Sequence, residues 1–156
     1  MTETEGTGFL KGRGAQKAEA NRFERYRHEP REDYREYRHR EGESAAVRTK
    51  YLRVFPKTIV NKVESPDVGM SYSLNPYQGC EHGCVYCYAR NSHQYWGYGP
   101  GLDFESRILI KEHAPLLLEK LLRKPTWKAE TIVLSGNTDC YQPAEKKFRL
   151  TRACLE

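Results

Sequence analysis

Three cysteines carry the most distinctive chemistry in this 156-residue sequence. They stand in Cys80-Glu81-His82-Gly83-Cys84-Val85-Tyr86-Cys87, a C-x3-C-x2-C spacing. Three thiolates within eight residues can meet one inorganic centre without help from elsewhere in the chain. Thiolate sets suit zinc and iron–sulfur clusters. A structural zinc site takes four protein ligands, and no fourth is obvious. His82 sits inside the three-residue gap, where ligation would strain the loop, and Cys140 is the other candidate. In a [4Fe-4S] cluster three cysteines leave one iron open, able to chelate the amino and carboxylate groups of a methionine-type molecule. Gly79 and Gly83 fit that reading, since a cluster needs close backbone approach and N–H donors to its sulfides. Tyr86 could present its ring to a flat heterocycle. The blander readings are a zinc knuckle or unconnected thiols.

Compartment bears on the thiols. Residues 1–20 hold no apolar core of signal-peptide type, and no run approaches membrane-spanning length. A cytoplasmic location follows as the expectation, with no membrane partner. Five cysteines in a reducing compartment point to metal or redox chemistry and away from a disulfide framework.

The flanks of the cysteines are specific. Asn75-Pro76-Tyr77-Gln78-Gly79-Cys80, continuing through Cys87 to Tyr88-Ala89-Arg90, resembles the cluster loop of radical S-adenosylmethionine proteins. More narrowly it resembles the subgroup related to spore photoproduct lyase. The stretch Asn137-Thr138-Asp139-Cys140-Tyr141-Gln142-Pro143-Ala144-Glu145, followed by Leu150-Thr151-Arg152, is also similar to that subgroup. The likeness covers about residues 50–156.

The resemblance implies an α/β fold, the amino-terminal portion of a partial (β/α)6 TIM-like barrel, with the cluster loop after its first strand. It implies a [4Fe-4S] cluster on Cys80, Cys84 and Cys87 and S-adenosyl-L-methionine as the second cofactor. Tyr86 would pack near the adenine. Ser135, Gly136 and Asn137 take the place of the glycine-rich motif that contacts the methionine amino group. The acidic residue usual in that motif is absent at position 137, and Asp139 is its substitute. The implied reaction is reductive cleavage of S-adenosylmethionine to a 5′-deoxyadenosyl radical, with a reductant such as flavodoxin or ferredoxin. The substrate is unread; the subgroup makes nucleic acid one candidate.

A reading from a different class is a zinc- or cluster-bearing nucleic-acid-binding module without radical catalysis. It would use the basic run Arg48, Lys50, Arg53, Lys57 and Lys62, with Tyr77, Tyr88 and Tyr95 stacking on bases. A solvated face and core aromatics explain the same residues.

The elements that must position this loop divide the chain near Ala45. Residues 1–45 contain ten Lys or Arg, ten Asp or Glu, and Leu10 as their single Leu, Ile or Val. Such a segment buries too little apolar surface to offset its ordering entropy, so a disordered or weakly helical charged arm is expected. Phe23 with Tyr26, or Tyr34 with Tyr37, could mark a frayed helix in it. The formal charge of +5 then falls on residues 46–156, where sixteen basic residues face eleven acidic ones.

Val54, Ile59, Val60 and Val63 suggest a short helical or extended lead-in, and Ser65-Pro66-Asp67 a turn. Residues 69–75 alternate as a strand stopped by Pro76. Residues 76–90 and 91–103 read as loops. Ile108-Leu109-Ile110 marks a second strand. Residues 112–124 form a helix with Pro115 in its first turn and a leucine face. Thr131-Ile132-Val133-Leu134 reads as a buried parallel strand. A last helix runs from Pro143 to the end, begun by favourable placement of Glu145. Three strands and two helices cannot cover both faces of a parallel sheet, so the expected domain over 46–156 is a truncated barrel. Cys140 and Cys154 read as ordinary semi-buried thiols, His93 and His113 as surface or core histidines, and Lys111 as a strand-end lysine that is either exposed or reaches a carboxylate.

Overall fold

The computed structural model describes residues 10–24, 47–65, 67 and 69–156. Tyr26, Tyr34, Tyr37 and Pro66 lie outside the described residues, as does most of the expected charged arm. The described elements are β1 (Lys50–Arg53), β2 (Val60–Lys62), β3 (Tyr72–Leu74), β4 (Tyr77–Gln78), a 3-10 helix (Tyr88–Trp96), α1 (Leu102–Ser106), β5 (Arg107–Ile110), α2 (Ala114–Leu122), β6 (Ile132–Leu134), α3 (Pro143–Phe148) and α4 (Leu150–Leu155).

The strands make two three-stranded sheets and no closed barrel among the described residues. In the first, β5 lies between β1, parallel to it, and β4, antiparallel. Ile108, Leu109 and Ile110 are all buried, as a central strand covered on both faces requires. Ile108 and Ile110 pack with Tyr77, Ala144 and Leu150, and Tyr51 and Phe148 close the edge. In the second sheet, β3 lies between β2, antiparallel, and β6, parallel, with Leu74 opposite Leu134. Ile59 and Leu74 form its core with Ala114 and Leu118 of α2. The fold is mixed α/β.

The lead-in takes the extended of its two expected forms, with β1 and β2. Other expectations need adjustment. The 76–90 loop contains a two-residue strand, and the 91–103 connection is largely helical. The strand at 132–134 is parallel as expected but only half-buried. The carboxyl-terminal helix is broken into α3 and α4 at Arg149, whose φ of 53° is left-handed. Of the leucine face on α2, Leu118 is buried while Leu116 and Leu122 are exposed.

Residues 10–24 contain turns and no helix. They lie along the cysteine loop and the segment after it. Lys17 C=O accepts the Leu102 N–H, and the Asn21 side chain donates to the carbonyls of Gln94 and Tyr98.

Candidate metal centre

The cysteine loop leaves the carboxyl end of β3 through Asn75, Pro76 and β4. The 135–142 loop leaves the carboxyl end of β6. These strands are adjacent and parallel, so the two loops emerge side by side. Ligand sites of α/β sheets form at such carboxyl ends.

Polar contacts then lace the loops together. Asn75 Oδ1 accepts the N–H groups of Asn137 (2.9 Å) and Thr138 (3.3 Å). The Thr138 hydroxyl donates to Tyr77 C=O at 2.8 Å. Asn137 Nδ2 donates to Gln78 Oε1, and the Tyr88 hydroxyl to Gly136 C=O. Gln142, fully buried, donates Nε2 to Gly79 C=O at 2.9 Å and accepts the Glu81 N–H at 3.4 Å, clipping both sides of Cys80. His82 pairs with Asp139 at 3.2 Å.

The loop also rests on α1. Cys80 N–H donates to Phe104 C=O at 2.9 Å. Gly79 and Gly83 both have left-handed φ, 82° and 64°. A Cβ on Gly79 would come within 2.8 Å of Phe104 C=O, so glycine is required there for both conformation and space. Cys80 packs with Ala89 and Phe104, and Cys87 lies against that cluster.

The cysteines are free thiols: Cys80 and Cys140 buried, the other three half-buried. Burial pushes the Cys80 thiol up to about 11, with the neighbouring Asp139 and Cys87 adding to the effect. A coordinated cation reverses that preference, because a coordinating thiol is deprotonated outright. Among the described residues no three His, Cys, Asp or Glu side chains converge closely enough to hold a single metal ion. Cys80, Cys84 and Cys87 therefore share one loop without meeting at one mononuclear point. Of the candidate fourth ligands, His82 is engaged with Asp139, and Cys140 is a buried free thiol.

The other expected site residues divide. Tyr86 is 86% exposed beside the loop. Ser135 has a left-handed φ of 68° and accepts the Cys140 N–H at 2.8 Å. Gly136 lies against Ser73, where a Cβ would sit 3.2 Å from the Ser73 side chain. Asn137 spends both its N–H and its side-chain amide on the neighbouring loop. Asp139 is half-exposed and also accepts the Tyr141 N–H.

Three expectations are corrected. Tyr77 is not a base-stacking residue: it is fully buried, with its hydroxyl on Glu145. Tyr88 and Tyr95 are exposed. Lys111 is buried, not exposed; Nζ donates to Asn75 C=O at 2.8 Å, and burial pushes its pKa down to about 8. Glu145 does more than favour a helix start: its carboxylate accepts the N–H groups of Thr151 and Arg152 at the head of α4. His113 stacks on Phe55, and Cys154 lies among the apolar residues around α2.

Asn75, Gln78, Gln142, Arg90 and Glu105 were not singled out in the sequence. Asn75 and Gln142 each precede a proline within the two specific motifs, which was the one available signal.

No family model matches the chain, and no solved structure matches it significantly. An uncharacterized protein of Mycobacterium tuberculosis is 40% identical over 101 residues, covering 64% of this chain and 30% of that protein. An uncharacterized protein of Mycobacterium bovis has the same identity and coverage. An uncharacterized protein of Methanocaldococcus jannaschii is 33% identical over 105 residues, covering 67% of this chain and 37% of that protein. The chain thus spans 30–37% of the length of these curated relatives.

Proposed function

We propose that this chain holds a [4Fe-4S] cluster through Cys80, Cys84 and Cys87 and forms the initiating site of a radical S-adenosylmethionine enzyme related to spore photoproduct lyase. The observation that carries the reading is the pairing of loops. A three-thiol loop with two left-handed glycines is fastened, at adjacent parallel strand ends, to the loop that bears the second sequence motif.

The donor set fits the group. Three thiolates from one loop supply three iron ligands and leave one iron for a second cofactor. The bound cluster would supply one electron for cleaving the sulfonium of S-adenosylmethionine, and the chemistry is the cofactors' own. The chain's part is to bind and orient. Gly79 and Gly83 let the backbone approach the cluster. Tyr86, exposed in the loop, would cover the adenine. Of the expected methionine-side residues Ser135, Gly136, Asn137 and Asp139, the half-exposed Asp139, paired with His82, would offer a carboxylate to an amino group, while Asn137 would hold the loop in place. A flavodoxin- or ferredoxin-like protein is the expected reductant. No described helix is long and apolar enough to cross a membrane.

The alternative is a zinc- or cluster-bearing nucleic-acid-binding module without radical catalysis. Its support is the exposed basic run Arg48, Lys50, Arg53, Lys57 and Lys62.

Anaerobic reconstitution with iron and sulfide tests the choice. The expected product is brown protein with about four irons per chain, an uptake abolished when Cys80, Cys84 and Cys87 are changed to Ser. Added S-adenosylmethionine should alter the electron paramagnetic resonance of the reduced cluster. Colourless protein that retains zinc and binds DNA with steep salt dependence would instead establish the second reading.

A further inference from the structure

Glu105 lies outside both sequence motifs, yet its side chain is fully buried directly beneath the cysteine loop. A Cβ on Gly83, the glycine between Cys80 and Cys84, would sit 3.1 Å from Glu105 Oε2. The carboxylate is enclosed by donors from two directions. From the loop side, Arg90 Nη2 pairs with Oε1 at 2.5 Å and donates to Cys84 C=O at 2.9 Å. From the amino-terminal side, Ala15 N–H reaches Oε1 at 2.7 Å and Gly14 N–H reaches Oε2 at 3.1 Å. Arg13 fixes the same segment, donating to Glu105 C=O, Val47 C=O and Thr49 Oγ1.

This arrangement is built. A buried carboxylate is costly unless paired and fully hydrogen-bonded, and here each oxygen has a named donor. The contact is also close: a Cβ on Gly14 would overlap the Gly83 carbonyl, so the two backbones can touch there because both residues are glycine. The 10–24 segment therefore reaches the backbone between two of the three thiols.

Resting on the cluster reading above, we infer that Glu105 is a positioning residue for the cluster. It clamps residues 13–15 onto Gly83 and, through Arg90, holds the carbonyl of Cys84. The amino-terminal segment is thereby part of the cluster site. Its assignment goes beyond the three thiols and the 135–139 loop, because Glu105 and residues 13–15 lie outside both. Outer-shell groups of this kind orient ligands and tune the centre they hold.

The test uses the full chain, reconstituted anaerobically in parallel as wild type, Glu105→Gln and Gly14→Ala. Glu105→Gln keeps the shape and removes the charge that Arg90 pairs with. Gly14→Ala lifts the segment from Gly83 while leaving both sheets untouched. Two readouts are taken: the rate at which a ferrous chelator strips iron, and the paramagnetic spectrum of the reduced cluster. Both variants should lose iron roughly tenfold faster or more, with a shifted spectrum and unchanged far-ultraviolet circular dichroism. Should Glu105→Gln fail to fold, Gly14→Ala carries the same comparison. Wild-type stripping rate and spectrum in the folded variants would overturn the inference and leave the cluster reading standing. A wild-type chain that takes up no iron overturns the cluster reading itself, and the inference with it.

Discussion

His93 sits in the 3-10 helix directly after the cysteine loop and is fully buried. Its ring lies between those of Tyr98 (5.2 Å) and Phe104 (5.6 Å), and neither ring nitrogen has a hydrogen-bond partner among the described residues. Burial pushes its pKa from 6.5 down to about 4; the Asp103 carboxylate and the nearby backbone of Asp103 and Arg107 oppose this and do not cancel it. The folded state therefore keeps the ring neutral where the unfolded state protonates it. The stability this contributes is complete above pH 6.5 and is lost as pH falls toward 4. At about 1.4 kcal/mol per pH unit, that gap corresponds to about 3 kcal/mol. Urea unfolding of the metal-free protein, measured in steps from pH 7 to pH 4, compares wild type with His93→Leu. The substitution adds a packing cost that does not depend on pH, so the slopes are the comparison. Wild-type stability should fall more steeply by about 3 kcal/mol across the window. Parallel curves would refute the reasoning, because a ring able to protonate in place could not be the closed, unpartnered group described.

Gln142→Leu leaves Gly79 C=O and the Glu81 N–H without their partner, at about 1–3 kcal/mol. Calorimetry should show a fall in Tm of roughly 3–8 °C, and an unchanged Tm would contradict the clip. Burial alone would raise the Glu145 carboxyl, but hydrogen bonds from Tyr77, Thr151 and Arg152 hold it below its ordinary value. Its contribution is therefore present at neutral pH and lost as pH falls through its folded pKa. Glu145→Gln should be less stable at pH 7 by about 1–2 kcal/mol and should converge with wild type in acid, as denaturant titration at the two pH values would read. Leu118→Ala should lower the urea-unfolding free energy by about 2–5 kcal/mol, since Leu118 joins α2 to Ile59 and Leu74. A loss below about 0.5 kcal/mol would mean that α2 does not dock there.

How far the chain could be read from its residues depended on apolar patterning. The leucine helix after Pro115 was legible from its helical repeat, and the strands at 108–110 and before Ser135 from short unbroken apolar runs. The two-residue β4 was not, because a ladder that short leaves no pattern. The break at Arg149 was hidden because a non-glycine residue takes the left-handed turn. Composition pointed to a disordered or weakly helical arm over residues 1–45. It could not foresee that Arg13, Gly14, Ala15 and Asn21 make specific polar contacts, because those contacts depend on Glu105, Gln94 and Tyr98, some ninety to seventy residues away. The candidate ligands were legible from spacing alone. The groups that hold them were not, because a glutamate before a strand or a glutamine before a proline has no periodic signature.

The two specific motifs are some sixty residues apart in the chain, yet they behave as one object, and strand register is what makes them so. Leu74 opposite Leu134 sets the ends of β3 and β6 level, and Leu74 C=O extends the pairing to the Ser135 N–H. A slip of one residue would turn Leu74 out of the core and carry Asn75 away from the Asn137 and Thr138 amides. Those amides are donors satisfied by the partner loop, so they are not free to bind a ligand. What the second loop can offer outward is narrower than its sequence suggests: the half-exposed carboxylate of Asp139 and the Ser135 hydroxyl, which accepts the Cys140 N–H. A cationic amino group would meet an acceptor at Asp139. The loop's remaining polar groups serve to hold the thiols beside it.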